Sequence, residues 1–389
     1  MIGGTCAPGY ESVRAAFAEN FASRDEIGAS VAVVAAGRPV VNMWAGWADL
    51  DRTRPWQADT LTNVWSTTKA LTSLCAHILI DRGELDPDAT VARYWPEFAV
   101  AGKQDITVRW VMSHRAGLAG VAAPLAVEDY YDWEKITSLL AAQAPLWAPG
   151  TAAGYHPVTF GYLVGEIVRR VTGRTIGRFL AGEVAGPLGA DAHIGLGPGD
   201  LGRCSEMREV RPTEDEQAQL AKAYASAHPA AIAALLNPML TGAEANSPRW
   251  RQAEIPAANG HCTALGLATI FGALADGSAR LVSARTLDAA CTGQGRRVDL
   301  VLGVPLEFGL GFGLSGPEHH YGPNPTAFGH DGFGGSAVCA DPSTGIAFAY
   351  VMNRMGMRLM DDPRKMALLT ATYEAIAGLA LPPATPASA

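Results

Sequence analysis

The stretch Thr62-Asn63-Val64-Trp65-Ser66-Thr67-Thr68-Lys69-Ala70-Leu71-Thr72-Ser73-Leu74 reads as an apolar lead-in that turns into a helix at Ser66. Serine and threonine favour helix starts because their side-chain oxygens accept otherwise unpaired backbone N–H bonds. Apolar residues then recur at helical spacing, at Ala70, Leu71, Leu74, Cys75 and Ile78, and the pattern ends near Gly83. Ser66 and Lys69 are three residues apart and share one face of this helix.

A lysine one turn beyond a serine can hydrogen-bond the serine hydroxyl. When the amine is desolvated it loses its proton more easily and can act as a base, which makes the serine nucleophilic. The alternative is a helix cap followed by a surface lysine, since short motifs often occur by chance. Lys69 is the only one of five lysines with a serine three positions before it, and a lysine within an apolar helix is costly without a partner. We therefore interpret Ser66 and Lys69 as a candidate nucleophile and base.

Composition limits the classes of function. The 389 residues are 48% hydrophobic and 17% charged, which is typical of a globular protein with a large core. The net charge of -8 argues against nucleic acid as a partner. We find no apolar run of about 18 residues, so no membrane span is expected. The oligomeric state is left open.

Six cysteines are scattered without a C-x-x-C pair, and the first residues lack a charged and then apolar leader. These features predict free thiols and a cytoplasmic location. Neither H-E-x-x-H nor the glycine pattern of dinucleotide binding occurs, so no metal and no cofactor is expected. A G-x-S-x-G elbow is also absent, which argues against an α/β-hydrolase.

The order of predicted elements indicates an α+β fold. Strands are predicted at 29–35, 39–44, 309–315, 335–340 and 345–352. Helices are predicted at 9–24, 107–113, 132–143, 158–172 and 175–185. Strands at both ends and helices between them suggest one sheet domain, residues 1–84 and 191–389, interrupted by a mostly helical domain, residues 85–190. The Ser66 helix would lie at their junction, where pockets are common.

Several segments, in order, resemble the serine β-lactamase-like superfamily, on the branch of class C β-lactamases and DD-peptidases, and most of all its family VIII carboxylesterases. The resemblance covers roughly residues 10 to 356. It rests on Ser66-Thr67-Thr68-Lys69, Val91-Ala92-Arg93-Tyr94-Trp95-Pro96-Glu97-Phe98, Ile106-Thr107-Val108-Arg109-Trp110-Val111-Met112-Ser113-His114-Arg115-Ala116-Gly117-Leu118, Pro149-Gly150 leading to Tyr155, Gly186-Pro187-Leu188-Gly189, Gly329-His330-Asp331-Gly332-Phe333-Gly334-Gly335-Ser336 and Tyr350-Val351-Met352-Asn353-Arg354.

The resemblance implies a mostly antiparallel sheet flanked by helices, with an all-helical domain beside it and the active site between the two. It also implies that Ser66 forms an acyl-enzyme, that Lys69 is its base, and that Tyr155 shares the acid and base work. The backbone N–H groups of Ser66 and Phe333 would form the oxyanion hole. Two such donors on rigid elements stabilise a tetrahedral oxyanion, each by about 3 kcal/mol.

Two departures bear on the substrate. The β-lactamases have Tyr-x-Asn where this chain has Tyr155-His156-Pro157, and Lys-Thr-Gly where it has His330-Asp331-Gly332. The missing lysine would have bound the antibiotic's carboxylate, and a histidine does so less well. Both changes favour a plain ester.

We therefore expect a serine carboxylesterase for small, short-chain acyl esters. A β-lactamase or DD-peptidase, an acyltransferase and a non-catalytic ligand-binding protein on the same scaffold remain alternatives. We expect His330 and Gly332 to line the substrate site, although the residues alone also fit a surface histidine and a close strand contact. Trp133 and Tyr131 are expected to form an apolar acyl pocket, with helix packing as the alternative. The His319-His320-Tyr321 loop is expected to be solvated, with a place on the rim of the pocket as the alternative.

Overall fold

The computed structural model describes residues 1–317 and 321–380, so His319 and His320 lie outside the described residues. Tyr321 of the same loop is described, and it is buried rather than solvated. The strands are β1 Gly3–Cys6, β2 Gly28–Ala35, β3 Arg38–Gly46, β4 Thr62–Asn63, β5 Ala192–Ile194, β6 Gly260–Cys262, β7 Arg297–Val298, β8 Pro305–Leu306, β9 Gly313–Leu314, β10 Phe328–Asp331, β11 Ala337–Asp341 and β12 Ile346–Met352.

The α-helices are α1 Glu11–Ser23, α2 Thr68–Asp81, α3 Val108–Met112, α4 Trp133–Ala142, α5 Thr159–Thr172, α6 Ile176–Leu180, α7 Gly186–Leu188, α8 Glu214–Ala225, α9 Pro229–Leu235, α10 Pro248–Gln252, α11 Ala264–Ala275, α12 Ala284–Ala290 and α13 Pro363–Ala380. Short 3₁₀ turns occur at Trp65–Thr67, Val91–Arg93, Pro96–Ala99, Val127–Tyr131, Pro198–Arg203 and Ala243–Asn246, and a π-helical turn spans Ala181–Ala185. None of the helices in residues 1–317 and 321–380 is long and apolar enough to cross a bilayer.

The main sheet has seven strands in the order β1-β3-β2-β12-β11-β10-β9, and every neighbouring pair is antiparallel. β2 pairs with β12 along its whole length, which joins the two ends of the chain in one sheet. Nearly every residue of β2 and all of β12 are buried. Since successive side chains point to opposite faces, both faces of the sheet's centre are covered. The helix α11 packs against β2, β11 and β12.

A second sheet, β4-β6-β5, places the segment before Ser66 next to residues 259–263. Helix α2 leaves this sheet and packs against α5 and α6. The segment that carries Ser66 is therefore held between strands β4 and β6 on one side and helices α5 and α6 on the other.

The α+β class and the mostly antiparallel sheet are confirmed, as are the hairpin of β2 and β3 and the helices α1, α3, α4 and α5 within a few residues. Residues 85–190 are all described and contain helices and turns but no strand. The domain boundaries at 84 and 190 stay a prediction. The helix expected to start at Ser66 starts two residues later, at Thr68, after the 3₁₀ turn.

Candidate active site

Ser66 lies in the 3₁₀ turn between β4 and α2, and its side chain caps neither helix. The expectation that Ser66 begins the helix is therefore corrected. Trp65 before it has a φ of 47°, a left-handed conformation that costs a non-glycine residue about 1–3 kcal/mol. The Trp65 ring is buried and lies 5.5 Å from the Trp250 ring and 5.7 Å from the Phe333 ring. This packing holds the backbone that presents Ser66.

Lys69 is fully buried, and its Nζ lies 2.9 Å from Ser66 Oγ. The same nitrogen donates to the carbonyl oxygens of Pro157, at 2.6 Å, and Ala257, at 3.0 Å. Burial holds the pKa of the Lys69 amine well below its ordinary value, because no carboxylate offsets the loss of water. The structure thus brings the predicted pair together in the environment that favours a neutral amine.

Tyr155 joins this pair from the loop before α5. Its side chain is buried and lines the same cavity as Ser66, while Lys69 Nζ lies 4.8 Å from the centre of its ring. Burial raises the pKa of the Tyr155 hydroxyl, and the nearby Ser66 side chain only partly offsets this rise. The phenol therefore stays protonated.

Two histidines fix the Tyr155 loop. The His156 amide donates to His114 Nδ1 at 3.2 Å, and the Leu118 amide donates to His156 Nε2 at 3.2 Å. Both ring nitrogens must therefore carry lone pairs, so both imidazoles are neutral. Burial lowers the pKa of both, that of His156 to about 4. The His114 ring lies 4.8 Å from that of Tyr155, so the histidine also packs against the tyrosine it helps to position.

Strand β10 ends at Asp331, and residues Gly332 to Gly335 then form a turn. The Gly335 amide donates to the Gly332 carbonyl at 3.0 Å, and Gly334 at the third position of this turn has a φ of +93°. Such a turn leaves the amide of its second residue, Phe333, without an internal acceptor. A Cβ on Gly332 would lie 2.3 Å from the Val64 carbonyl, so only glycine lets this turn approach the Ser66 segment.

Arg364 at the start of α13 holds this turn from behind. Nη2 donates to the Gly334 carbonyl at 2.7 Å and to Asp362 at 2.9 Å, and Nε donates to Asp362 at 2.9 Å. Nη1 donates to the Arg354 carbonyl at 2.7 Å and to Glu26 at 3.2 Å. All five donors of the buried guanidinium are used. The sequence analysis missed this residue, because nothing local to α13 signals a contact with the turn.

Ser66 opens into a cavity of about 520 Å³ that Tyr155, His330 and Phe333 also line. His330 lies on its wall, with Nδ1 2.7 Å from the Asp331 carbonyl oxygen. In the part of the chain that the structure describes, no group of three histidine, cysteine, aspartate or glutamate side chains could hold a metal.

Trp133 and Tyr131 do not line this cavity but border a second, smaller one of about 310 Å³. Trp133 Nε1 donates to the buried carboxylate of Glu166 at 2.8 Å, and its ring packs against Tyr162. The Tyr131 ring lies under Arg249. The expectation of an acyl pocket from these two aromatic residues is corrected to helix packing, because the Glu166 bond turns Trp133 toward α5.

The fold thus brings the half-buried Ser66 together with the buried side chains of Lys69 and Tyr155. Residues 13–371 match the beta-lactamase family, and the chain belongs to that family. It is 38% identical over 365 residues to the esterase/beta-lactamase LipL of Mycobacterium tuberculosis, covering 90% of this chain and 83% of LipL.

Two solved structures are similar to this chain in fold and in sequence. A family VIII carboxylesterase superposes with a TM-score of 0.90 at 42% identity and covers 96% of this chain and 100% of its own. A penicillin-binding protein homologue from Caulobacter crescentus has a TM-score of 0.86 at 40% identity, with coverages of 96% and 100%.

Proposed function

We propose that this protein is a serine carboxylesterase that works through an acyl-enzyme on Ser66. The observation that carries the proposal is the position of Lys69, a buried amine without a carboxylate partner, 2.9 Å from the Ser66 hydroxyl. The names of its relatives, an esterase and a family VIII carboxylesterase, support the ester as the substrate.

Lys69 acts as the base in its neutral form. A neutral amine has two N–H donors and one lone pair, and the two carbonyls of Pro157 and Ala257 take the donors. The lone pair is then left for the Ser66 hydroxyl. As the Ser66 oxygen bonds to the ester carbonyl carbon, its proton passes to Lys69.

Tyr155 acts as the acid, since its raised pKa keeps the phenol protonated beside Ser66. When the bond to the alcohol breaks, Tyr155 donates a proton to the departing oxygen and regains one from Lys69. Water then attacks the acyl-enzyme, gives its proton to neutral Lys69, and the acid leaves as Ser66 is reprotonated.

The amides of Ser66 and Phe333 stabilise the oxyanion. Neither the Phe333 amide nor the Ser66 amide has a backbone acceptor among the described residues outside regular elements, and the two segments are in contact through Gly332. Two such donors, one on the Gly332–Gly335 turn and one on the 3₁₀ turn before α2, would stabilise the charge that develops on the substrate oxygen during the reaction.

A second candidate activity is β-lactam hydrolysis, favoured by the family and by the double name of the relative LipL. His330 stands where that reaction uses a lysine, so we expect β-lactam turnover to be much slower than ester turnover. Acyl transfer to another alcohol would use the same intermediate.

The six free cysteines support a cytoplasmic location, where thiols stay reduced.

Labelling with a fluorophosphonate tests the nucleophile. We expect one equivalent of label, mapped to Ser66 by peptide mass spectrometry, and none in Ser66→Ala. Ser113→Ala is the matched control, because Ser113 is a buried serine whose hydroxyl bonds only to the Arg109 carbonyl of its own helix. Label on another residue, or equal labelling of Ser66→Ala, contradicts the proposal.

A further inference from the structure

Exposed apolar side chains gather at the mouth of the Ser66 cavity. Leu220 on α8 is 36% exposed, and Met239, Met357 and Leu359 on the neighbouring loops are 58%, 38% and 46% exposed. All four line the cavity. We call these four residues the apolar rim. Large exposed apolar side chains that cluster in this way mark a binding surface, since their hydration is unfavourable.

The rim continues an apolar wall that begins beside the nucleophile. Phe308 stacks on Tyr155 with the ring centres 6.0 Å apart, and Leu306, Leu302 and Leu235 line the same cavity. These apolar side chains form a path within the cavity that the reacting serine and the rim share.

Helix α8 contributes to this rim and packs little against the rest of the protein. None of its residues is buried, and Leu220 and Tyr224 are the two that reach the cavity. An amphipathic surface helix normally buries its apolar side against the core. Here that side faces the cavity, so its burial depends on what the cavity holds.

Few charges lie along the path. Arg296, Glu307 and Asp331 are the charged residues of the cavity wall, apart from His330, and Asp331 is paired with Lys365 at 3.1 Å. Most of the lining side chains are apolar, so a charged substrate tail would lose water against them at a cost in free energy. The lining thus favours an uncharged tail.

We propose that the enzyme's substrates are lipophilic esters, in which one uncharged apolar chain, on the acyl or the alcohol side, extends from Ser66 along the wall to the apolar rim. This inference rests on the proposed esterase function and extends the short-chain expectation from the sequence. Binding of the chain covers Leu220 and Met239, which the free enzyme leaves exposed.

The test compares kcat/KM for p-nitrophenyl octanoate and p-nitrophenyl butyrate, below the concentration at which either forms micelles. A second arm compares octyl acetate with butyl acetate, so that the acyl and alcohol sides are distinguished. Each wholly buried methylene increases the rate constant about fourfold, so we expect the longer ester to lead by about tenfold or more in one arm.

The double variant Leu220→Ser/Met239→Ser removes half of the rim. We expect it to reduce the long-to-short ratio by about fivefold or more, because serine gives up the apolar contact. Ile232→Ser and Val298→Ser are matched controls, since those residues are 37% and 62% exposed but do not line the cavity. Both controls should keep the wild-type ratio.

Two results overturn the inference: a long-to-short ratio of one or less in both arms, or a rim variant whose ratio equals that of the controls. In either case Ser66-dependent hydrolysis of butyrate leaves the esterase function standing. Loss of the esterase function itself is a different result, in which butyrate is not hydrolysed at all or Ser66→Ala hydrolyses it as fast as the wild type.

Discussion

Arg364 Nη2 donates to the Gly334 carbonyl at 2.7 Å, so a buried cation from the start of α13 fixes the turn that carries the Phe333 amide. The guanidinium is itself held by Asp362 and Glu26, and the Gly356 amide donates to the same Gly334 oxygen at 2.8 Å. A planar group with five donors can satisfy all these acceptors at once, and an ammonium cannot.

We therefore expect Arg364→Lys to lower kcat by about tenfold, with a smaller change in KM, because a shifted Phe333 amide weakens a contact made mainly in the transition state. Arg280→Lys, at an exposed ion pair with Asp276, is the control and should leave both constants unchanged. Circular dichroism and the melting temperature establish that Arg364→Lys is folded. A folded variant with unchanged kcat contradicts the positioning role.

The pH dependence of kcat reports the state of Lys69. Because the base must be deprotonated, the rate should rise with pH, and because burial lowers the Lys69 pKa, the midpoint should lie well below the ordinary 10.5. Lys69→Arg keeps a charge that does not dissociate, so we expect it to reduce kcat by about 10³-fold at every pH. A rate that rises with a midpoint at or above 10.5 argues against a neutral Lys69.

Tyr155→Phe removes the hydroxyl and keeps the ring that packs on Phe308 and His114. We expect kcat to fall by about 10²-fold or more, since positioned acids contribute 10²–10⁴-fold. The wild-type profile should show no decline on the alkaline side below the ordinary tyrosine pKa of 10.0, because burial raises the pKa of Tyr155. Wild-type activity in Tyr155→Phe rules out its role as the acid.

Stability should depend on His77, a buried residue of α2 whose Nε2 lies 2.7 Å from the Leu310 carbonyl. Burial lowers its pKa from 6.5 to about 4, so the unfolded chain binds this proton more readily. The contribution of neutral His77 to the free energy of unfolding is fully present above pH 6.5. It is lost as the pH falls toward 4, and the loss amounts to at most about 3 kcal/mol. Urea unfolding at several pH values gives the free energy of unfolding as a function of pH. Between pH 4 and pH 6.5 this free energy should rise less steeply with pH in His77→Gln than in the wild type. Equal slopes mean that His77 does not titrate in this way.

The sequence predicted interactions between residues close together in the chain better than interactions between distant ones. Ser66 and Lys69 are one helical turn apart, so local spacing was sufficient to pair them. Tyr155 and Phe333 are distant in the chain, and only the resemblance to a known family joined them to Ser66; their roles stay predictions. The helix start was misplaced because the left-handed Trp65 adds a 3₁₀ turn that no propensity rule anticipates.

Other features depended on contacts that the sequence does not display. Trp133 was assigned to the substrate pocket on its residue type, but a bond to Glu166 on α5 decides its direction. Arg364 and the apolar rim were missed for the same reason. The rim residues come from three separate places in the chain, at 220, at 239 and at 357 and 359, and only the folded chain brings them around one opening.

Hydrolysis of p-nitrophenyl butyrate by the purified protein and by Ser66→Ala, measured side by side, tests the central claim most directly. We predict that the wild type turns over repeatedly and that the variant falls to the background rate, because Ser66 supplies the hydroxyl that lies 2.9 Å from Lys69 Nζ. Equal hydrolysis by the two proteins would contradict the assignment of Ser66 as the nucleophile, and with it the acyl-enzyme mechanism.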